Sequence, residues 1–159
     1  MGVVAILFCS LLFIASCVGK APVQNSTPKV TIDTLQVRVG EGENNVTIDS
    51  PVYGYLDNMT LTFFTEKTTV FLFMDNYVHL TSFAPDPYGS CATQWQLDGD
   101  FVGETVVTSN ILNAYHHMYA IGPFDVEAGQ HIVKLYWKTG SSNQTWVSTA
   151  RSLEVVIFH

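Results

Sequence analysis

The histidines are the residues of this chain whose side chains could bind a metal ion or transfer protons. His116 and His117 are adjacent, whereas His79 and His131 fall in other apolar stretches. Successive side chains of a strand point to opposite faces, so His116 and His117 cannot both ligate one ion from a regular strand. We therefore expect no metal site and no bound cofactor.

The carboxylates and serines also give no catalytic signature. Asp98 and Asp100 are one residue apart, far short of the roughly six to eight oxygen ligands that calcium takes. The Gly-x-Ser-x-Gly nucleophile elbow of a Ser-His-Asp hydrolase is absent. A carboxylate pair for glycoside cleavage stays open as an alternative, but catalytic sandwiches usually add long loops. We predict a protein that is not an enzyme and name no catalytic residue.

Residues 1–19 contain no charged side chain and end in small residues around Ala15, Ser16 and Gly19. This pattern is typical of a secretory signal peptide. An uncleaved membrane anchor is disfavoured because a bilayer span needs about 20 apolar residues and this stretch is marginal for that length. A bacterial lipoprotein signal ending at Cys17 is disfavoured because no Lys or Arg precedes the apolar run. We expect a secreted, extracellular protein with residues 20–29 as a short polar leader and no membrane span in the mature chain.

Signal cleavage changes the meaning of the cysteines. It removes Cys9 and Cys17, which leaves Cys91 without an intramolecular partner. A lone cysteine in an oxidising compartment indicates either an intermolecular disulfide or a buried free thiol. Both alternatives stay open, and in either case no internal disulfide braces the fold.

Four Asn-x-Thr triplets without a central proline are candidate N-glycosylation sites. They begin at Asn25, Asn45, Asn58 and Asn143. Since glycans need solvent, we expect these four residues to lie on loops or exposed faces.

Charge and length limit the partners. The chain carries 14 acidic and 7 basic residues, a net charge of -7 with His neutral. The basic residues are scattered singly, so neither nucleic acid nor an anionic membrane surface is an expected partner. The length after cleavage suits one domain, which we place at residues 30–159.

Strand patterns dominate that domain. Leu35, Val37 and Val39 alternate with polar residues. The Asp98-Gly99 step predicts a tight hairpin, because both residues tolerate positive φ. A second hairpin is predicted across 122–138. With about eight to ten strands and no helical pattern, we predict an all-β fold, a single antiparallel β-sandwich of jelly-roll type.

Adjacent aromatic residues indicate an interaction surface. Phe63-Phe64 and Tyr136-Trp137 must each send one ring to either face of a strand. The outward ring then meets a subunit, a ligand or a covering loop.

The C-terminal third carries a resemblance to a known family. Leu97-Asp98-Gly99, the run 126–137 and the run 151–157 resemble the secreted jelly-roll heads of the complement and tumour necrosis factor-like group. The non-collagenous head of collagen triple-helix repeat-containing proteins is the nearest member. The resemblance implies a homo-oligomer, with a trimer favoured, that binds other extracellular proteins. The alternative function is a lectin-like sandwich that binds glycans.

Overall fold

The computed structural model describes residues 31–40, 42–83 and 88–159, and this part of the chain folds as strands without a helix. The proposed signal peptide, the leader and Asn25 lie outside these residues. Among the described residues, no helix is long and apolar enough to cross a membrane. The described residues form nine strands: β1 (Ile32–Val39), β2 (Val46–Ile48), β3 (Gly54–Thr65), β4 (Thr68–Phe83), β5 (Gly89–Leu97), β6 (Asp100–Ser109), β7 (Tyr115–Val126), β8 (Gly129–Thr139) and β9 (Gln144–Phe158).

Two antiparallel sheets pack face to face. Sheet A has the order β1-β9-β4-β7, with β2 also paired to β9, and sheet B has the order β3-β8-β5-β6. The pairs β1/β9, β3/β8, β4/β7 and β5/β6 are nested in the sequence, as when one long antiparallel ribbon wraps into two sheets. The structure therefore confirms the predicted all-β sandwich of jelly-roll type.

The Asp98-Gly99 hairpin is confirmed. Asp98 has φ 55° and Gly99 has φ 94°, the positive values of a type I′ turn. Leu97 pairs with Asp100 directly across the turn, so β5 and β6 are joined by two residues.

The second predicted hairpin, across 122–138, is wrong. β7 pairs with β4 in sheet A, whereas β8 pairs with β3 and β5 in sheet B. The segment around Ala128 therefore crosses from one sheet to the other. The prediction failed because the alternation of apolar and polar residues shows only which side chains face the core. Val126 and Val133 face the core whether their strands pair within one sheet or lie in two facing sheets.

The core lies between the sheets and is built by the alternating residues of every long strand. Leu35, Val37 and Val39 turn to one face as predicted. The apolar run 70–74 belongs to β4, a central strand that lies between β7 and β9. The largest fully buried side chains are Trp146, Phe63, Leu56, Met59, Leu72, Met74, Leu80, Met118, Leu135, Leu153, Ile157 and Val70.

A polar network crosses this apolar core. Fully buried Asn76 of β4 donates to Thr93 Oγ1 of β5 at 3.1 Å and accepts from Ser148 Oγ of β9 at 2.6 Å. Thr93 in turn donates to Met118 Sδ at 3.4 Å. Because a buried amide without partners is costly, these bonds hold the two sheets in one register.

Candidate functional site: the outer faces of the two sheets

The outer face of sheet A carries a row of rings at the β4/β7 pair. We call Tyr77, His79, Tyr115, His117 and Tyr119 the tyrosine–histidine face. Tyr77 lies opposite His117 and His79 opposite Tyr115. Since directly paired residues share a face of the sheet, strand register alone brings these side chains together.

Four rings of this face, all except Tyr119, pack on one another in a chain. The centroids of Tyr77 and Tyr115 are 5.0 Å apart with an interplanar angle of 18°, a stacked pair. His117 lies 4.4 Å from the Tyr77 ring and His79 lies 4.7 Å from the Tyr115 ring. His117 Nδ1 is also 3.3 Å from the Asp75 carboxylate. These four rings are thus held in position by their mutual contacts before any partner binds.

The β7 side of the face is open to solvent. Tyr115, Tyr119 and Ile121 are 50%, 58% and 51% exposed. His79 lies deeper, and burial lowers the pKa of its imidazole from the ordinary value of 6.5. Its Nδ1 atom is buried and has no hydrogen-bond partner among the described residues. The face is therefore largely apolar in character, with one imidazole that resists protonation.

His116 points away from this face. Its ring lies 6.1 Å from the indole of fully buried Trp146, whereas His117 is exposed on the outer surface. The two adjacent histidines thus occupy opposite faces, as strand geometry requires. Within 31–40, 42–83 and 88–159, no three metal-ligating side chains come together.

The outer face of sheet B forms a groove instead. One cavity of about 460 Å³ is lined by Gln96, Asp98, Gly99, Gln130, Ile132, Lys134 and Tyr136. A second of about 600 Å³ shares the last three of these residues and adds Tyr55, Thr60 and Thr62. We call the continuous depression the sheet-B groove. Its lining mixes tyrosine rings with amides, hydroxyls and one lysine.

Buried His131 holds Asp98, at one end of this groove, in position through a hydrogen bond. Its Nδ1 lies 2.7 Å from Asp98 Oδ2, and its Nε2 donates to the Glu127 carbonyl at 2.8 Å. Asp98 Oδ1 accepts the Ile132 N–H at 2.8 Å. Burial opposes the charge on His131, but the bonds to Asp98 and Glu127 outweigh it and raise the pKa of His131. Both oxygens of Asp98 are therefore engaged within the hairpin.

Three predicted acceptor asparagines are exposed. Asn45 lies in the turn before β2, Asn58 in the irregular stretch of β3 and Asn143 in the turn between β8 and β9. These positions meet the solvent requirement of a glycan, whereas Asn25 lies outside the described residues.

Cys91 lies in the core with no exposed surface. It is a free thiol, and burial raises its pKa to about 12. This location favours the buried-thiol alternative, because an intermolecular disulfide needs a sulfur that another molecule can reach.

The aromatic pairs divide as predicted. Phe63 is 2% exposed and Phe64 is 71% exposed, and Trp137 is buried while Tyr136 lines the sheet-B groove. Sequence reasoning did not identify the tyrosine–histidine face. The alternation of Tyr115, His117, Tyr119 and Ile121 was a signal for one face of β7, but only the pairing with β4 shows which rings join it.

No protein-family model and no curated protein matches the sequence. Similar solved structures include the insecticidal delta-endotoxin Cry8Ea1 from Bacillus thuringiensis, at TM-score 0.48 and 10% identity over 74% of this chain and 20% of that chain. Eiger TNF from S. frugiperda has TM-score 0.47 and 6% identity over 77% and 91%. The EclA C-terminal domain, a sugar-binding protein, has TM-score 0.39 and 12% identity over 86% and 89%.

The chain thus spans about a fifth of the toxin's length. These likenesses concern the jelly-roll fold alone, since one fold carries many functions. The class that the strand pairing defines is a jelly-roll β-sandwich with two structured outer faces.

Proposed function

We propose that this chain is a secreted, N-glycosylated, non-enzymatic β-sandwich that acts as an oligomerising extracellular interaction module. Copies associate through the tyrosine–histidine face, and a trimer is the favoured state. The observation that carries the proposal is the exposed row Tyr115, Tyr119 and Ile121 beside the stacked pair of Tyr77 and Tyr115.

The physical chemistry of the face supports association. Tyrosine contributes a large contact area with few rotatable bonds, so little side-chain entropy is lost on binding. Copies with a net charge of -7 repel one another, which favours a contact surface poor in carboxylates. The carboxylate on this face, Asp75, lies 3.3 Å from His117 Nδ1 within the same molecule.

The finer family assignment belongs to the same proposal. The resemblance of the C-terminal third to heads of collagen triple-helix repeat-containing proteins favours a trimeric head that binds proteins at the cell surface or in the matrix. Secretion is supported by the character of residues 1–19, and glycosylation by the exposure of Asn45, Asn58 and Asn143.

Multi-angle light scattering on the purified glycoprotein tests the association. We expect an oligomer for the wild type and a monomer for Tyr119→Glu, which places a carboxylate on the contact surface without disturbing the core. The matched control is Phe64→Glu, an exposed aromatic on sheet B, and it should stay oligomeric. A monomeric wild type, or equal dissociation of both variants, contradicts the proposal.

The sheet-B groove favours a second function, carbohydrate binding. It offers tyrosine rings for stacking on a sugar and amides for its hydroxyls. A glycan array separates the two functions, because a stable trimer that retains no glycan excludes the second, and a monomer that retains one excludes the first.

A further inference from the structure

The sheet-B groove contains one cation at its centre. Lys134 is on β8, the strand between β3 and β5, and its register partners are Thr60 and Gln96. It lines both cavities of the groove. Its position places the ammonium group where a ligand along the groove must pass it.

The ammonium group of Lys134 is not part of an ion pair in the described part of the protein. No described carboxylate forms an ion pair with its Nζ atom. The carboxylate of the groove lining belongs to Asp98, whose oxygens contact His131 and the Ile132 N–H. The groove therefore presents a positive charge and no unengaged carboxylate among its lining residues.

The remaining lining suits a sugar ring. Tyr55 and Tyr136 stand edge to face with centroids 6.0 Å apart, and both rings line the groove. Tyr55 is fixed by a 2.9 Å hydrogen bond between its hydroxyl and Thr60 Oγ1. The amides of Gln96 and Gln130 line the same groove, and each can donate to one hydroxyl and accept from another.

We infer that the sheet-B groove binds a saccharide that carries a single carboxylate, such as a terminal sialic or uronic acid. Lys134 pairs with the carboxylate, Tyr136 stacks on the sugar ring and the two glutamines bind hydroxyls. A long polyanion is a poorer ligand, because the rest of the molecule is acidic and repels further negative charges. The inference deepens the carbohydrate-binding function and is independent of self-association, which uses the opposite sheet.

Titration calorimetry with sialyllactose and lactose tests the inference, since these probes share a core and differ by the acidic sugar. We expect sialyllactose to bind at least about tenfold more tightly, the effect of one charge-assisted contact. Raising the salt concentration should weaken sialyllactose binding and leave lactose binding unchanged. Equal affinities for the two probes, or no binding of either, overturn the inference.

Two lysine variants assign the effect to the groove. Lys134→Gln should lower the affinity for sialyllactose about tenfold to that of lactose. Lys138→Gln is the matched control, because Lys138 lies on the same strand but stacks over the Tyr53 ring at 4.4 Å, outside the groove lining. A loss as large in Lys138→Gln, or no loss in Lys134→Gln, overturns the assignment.

Tyr136→Ala should weaken both probes, whereas Tyr136→Phe retains the ring and should bind like the wild type. Unequal effects of Tyr136→Ala on the two probes, or a loss in Tyr136→Phe, contradict the stacking role. Light scattering on the same samples separates this inference from the proposed association. A monomer that distinguishes the probes refutes only association, and an oligomer that does not distinguish them refutes only the groove.

Discussion

At the scale of single residues, the thiol of Cys91 shows how position determines reactivity. The side chain is fully buried on β5, and burial raises its pKa to about 12. Thiolate is the reactive form of cysteine, so a thiol that is both buried and protonated reacts slowly with disulfides and oxidants.

We predict that Cys91 is unreactive in the native protein. A thiol-specific chromogenic reagent at neutral pH should label less than about a tenth of the native protein in the time that it labels all of the urea-unfolded protein. Non-reducing electrophoresis should show no dimer. A covalent dimer that reductant dissociates would instead establish the intermolecular disulfide.

The charge state of His131 follows from its two partners. A backbone carbonyl and an ionised carboxylate both accept hydrogen bonds and cannot donate them. Only the protonated, cationic imidazole carries a hydrogen on both ring nitrogens and can donate to both partners at once. This agrees with the raised pKa that the bonds to Asp98 and Glu127 produce.

We predict that His131 stabilises the fold most at low pH. Because its folded pKa lies above the ordinary value of 6.5, the contribution is fully present below pH 6.5 and is lost as the pH rises through the folded pKa. Urea unfolding of wild type and His131→Gln should show the variant less stable by about 1–3 kcal/mol at low pH. The difference should shrink as pH rises.

The matched control for this titration is His159→Gln, which removes a more exposed imidazole beside Asp33. Its effect should stay within about 0.5 kcal/mol of the wild type. A gap between wild type and His131→Gln that widens with rising pH would contradict the cationic assignment.

At the scale of elements, the β5/β6 hairpin depends on a missing side chain. Trp95 pairs with Gly103 across the two strands, next to a shift in register. A Cβ at residue 103 would overlap the Nε1 atom of the Trp95 indole. Trp95 is 4% exposed, so its ring cannot swing into solvent without leaving the core.

We predict that Gly103→Ala destabilises the protein by about 1–3 kcal/mol, the usual cost of overpacking. Gly54→Ala is the control, because Gly54 also lies in a strand and an added Cβ there meets only Ile48 Cδ1 at 3.6 Å. It should change stability by no more than about 0.5 kcal/mol. Chemical denaturation measures the free energy of unfolding of both variants. Equal changes in the two variants would show that the Trp95 indole moves aside at little cost.

The elements also show what local sequence can predict. The Asp98-Gly99 turn was predictable because its conformation depends on two adjacent residues. The crossing near Ala128 was not, since alternating apolar residues fix which side faces the core but not which strand is the neighbour. Asn76 illustrates the same limit, because its polar partners Thr93 and Ser148 come from distant strands.

At the scale of the whole molecule, the same reasoning separates fold from site. Turn spacing and strand patterns predicted the sandwich, because all its long strands must bury one face. The two outer faces depend on strand order. Tyr77 meets Tyr115 only because β4 pairs with β7, and Lys134 is central only because β8 lies between β3 and β5. Neither of these strand pairings can be predicted from the residues of a single strand.

The proposed association should also respond to acidity, through His79. Burial already lowers the pKa of its imidazole, and an interface over the tyrosine–histidine face would bury it further. The side chains next to it on this face are Tyr115 on β7, Tyr77 on its own strand and Val147 on β9, and none of them is a carboxylate. The carboxylate of this face, Asp75, lies beside His117 instead. Protonation therefore opposes association.

We predict that the oligomer persists above pH 6.5, the ordinary pKa of histidine, and weakens as the pH falls below it. Sedimentation velocity at about pH 7.5 and about pH 5.5 measures the change. His79→Phe keeps a ring at the interface but cannot take up a proton, so its oligomer should survive at the lower pH. Equal dissociation of this variant and the wild type would assign the acid response to another group, and an unchanged wild type would exclude His79 from the interface.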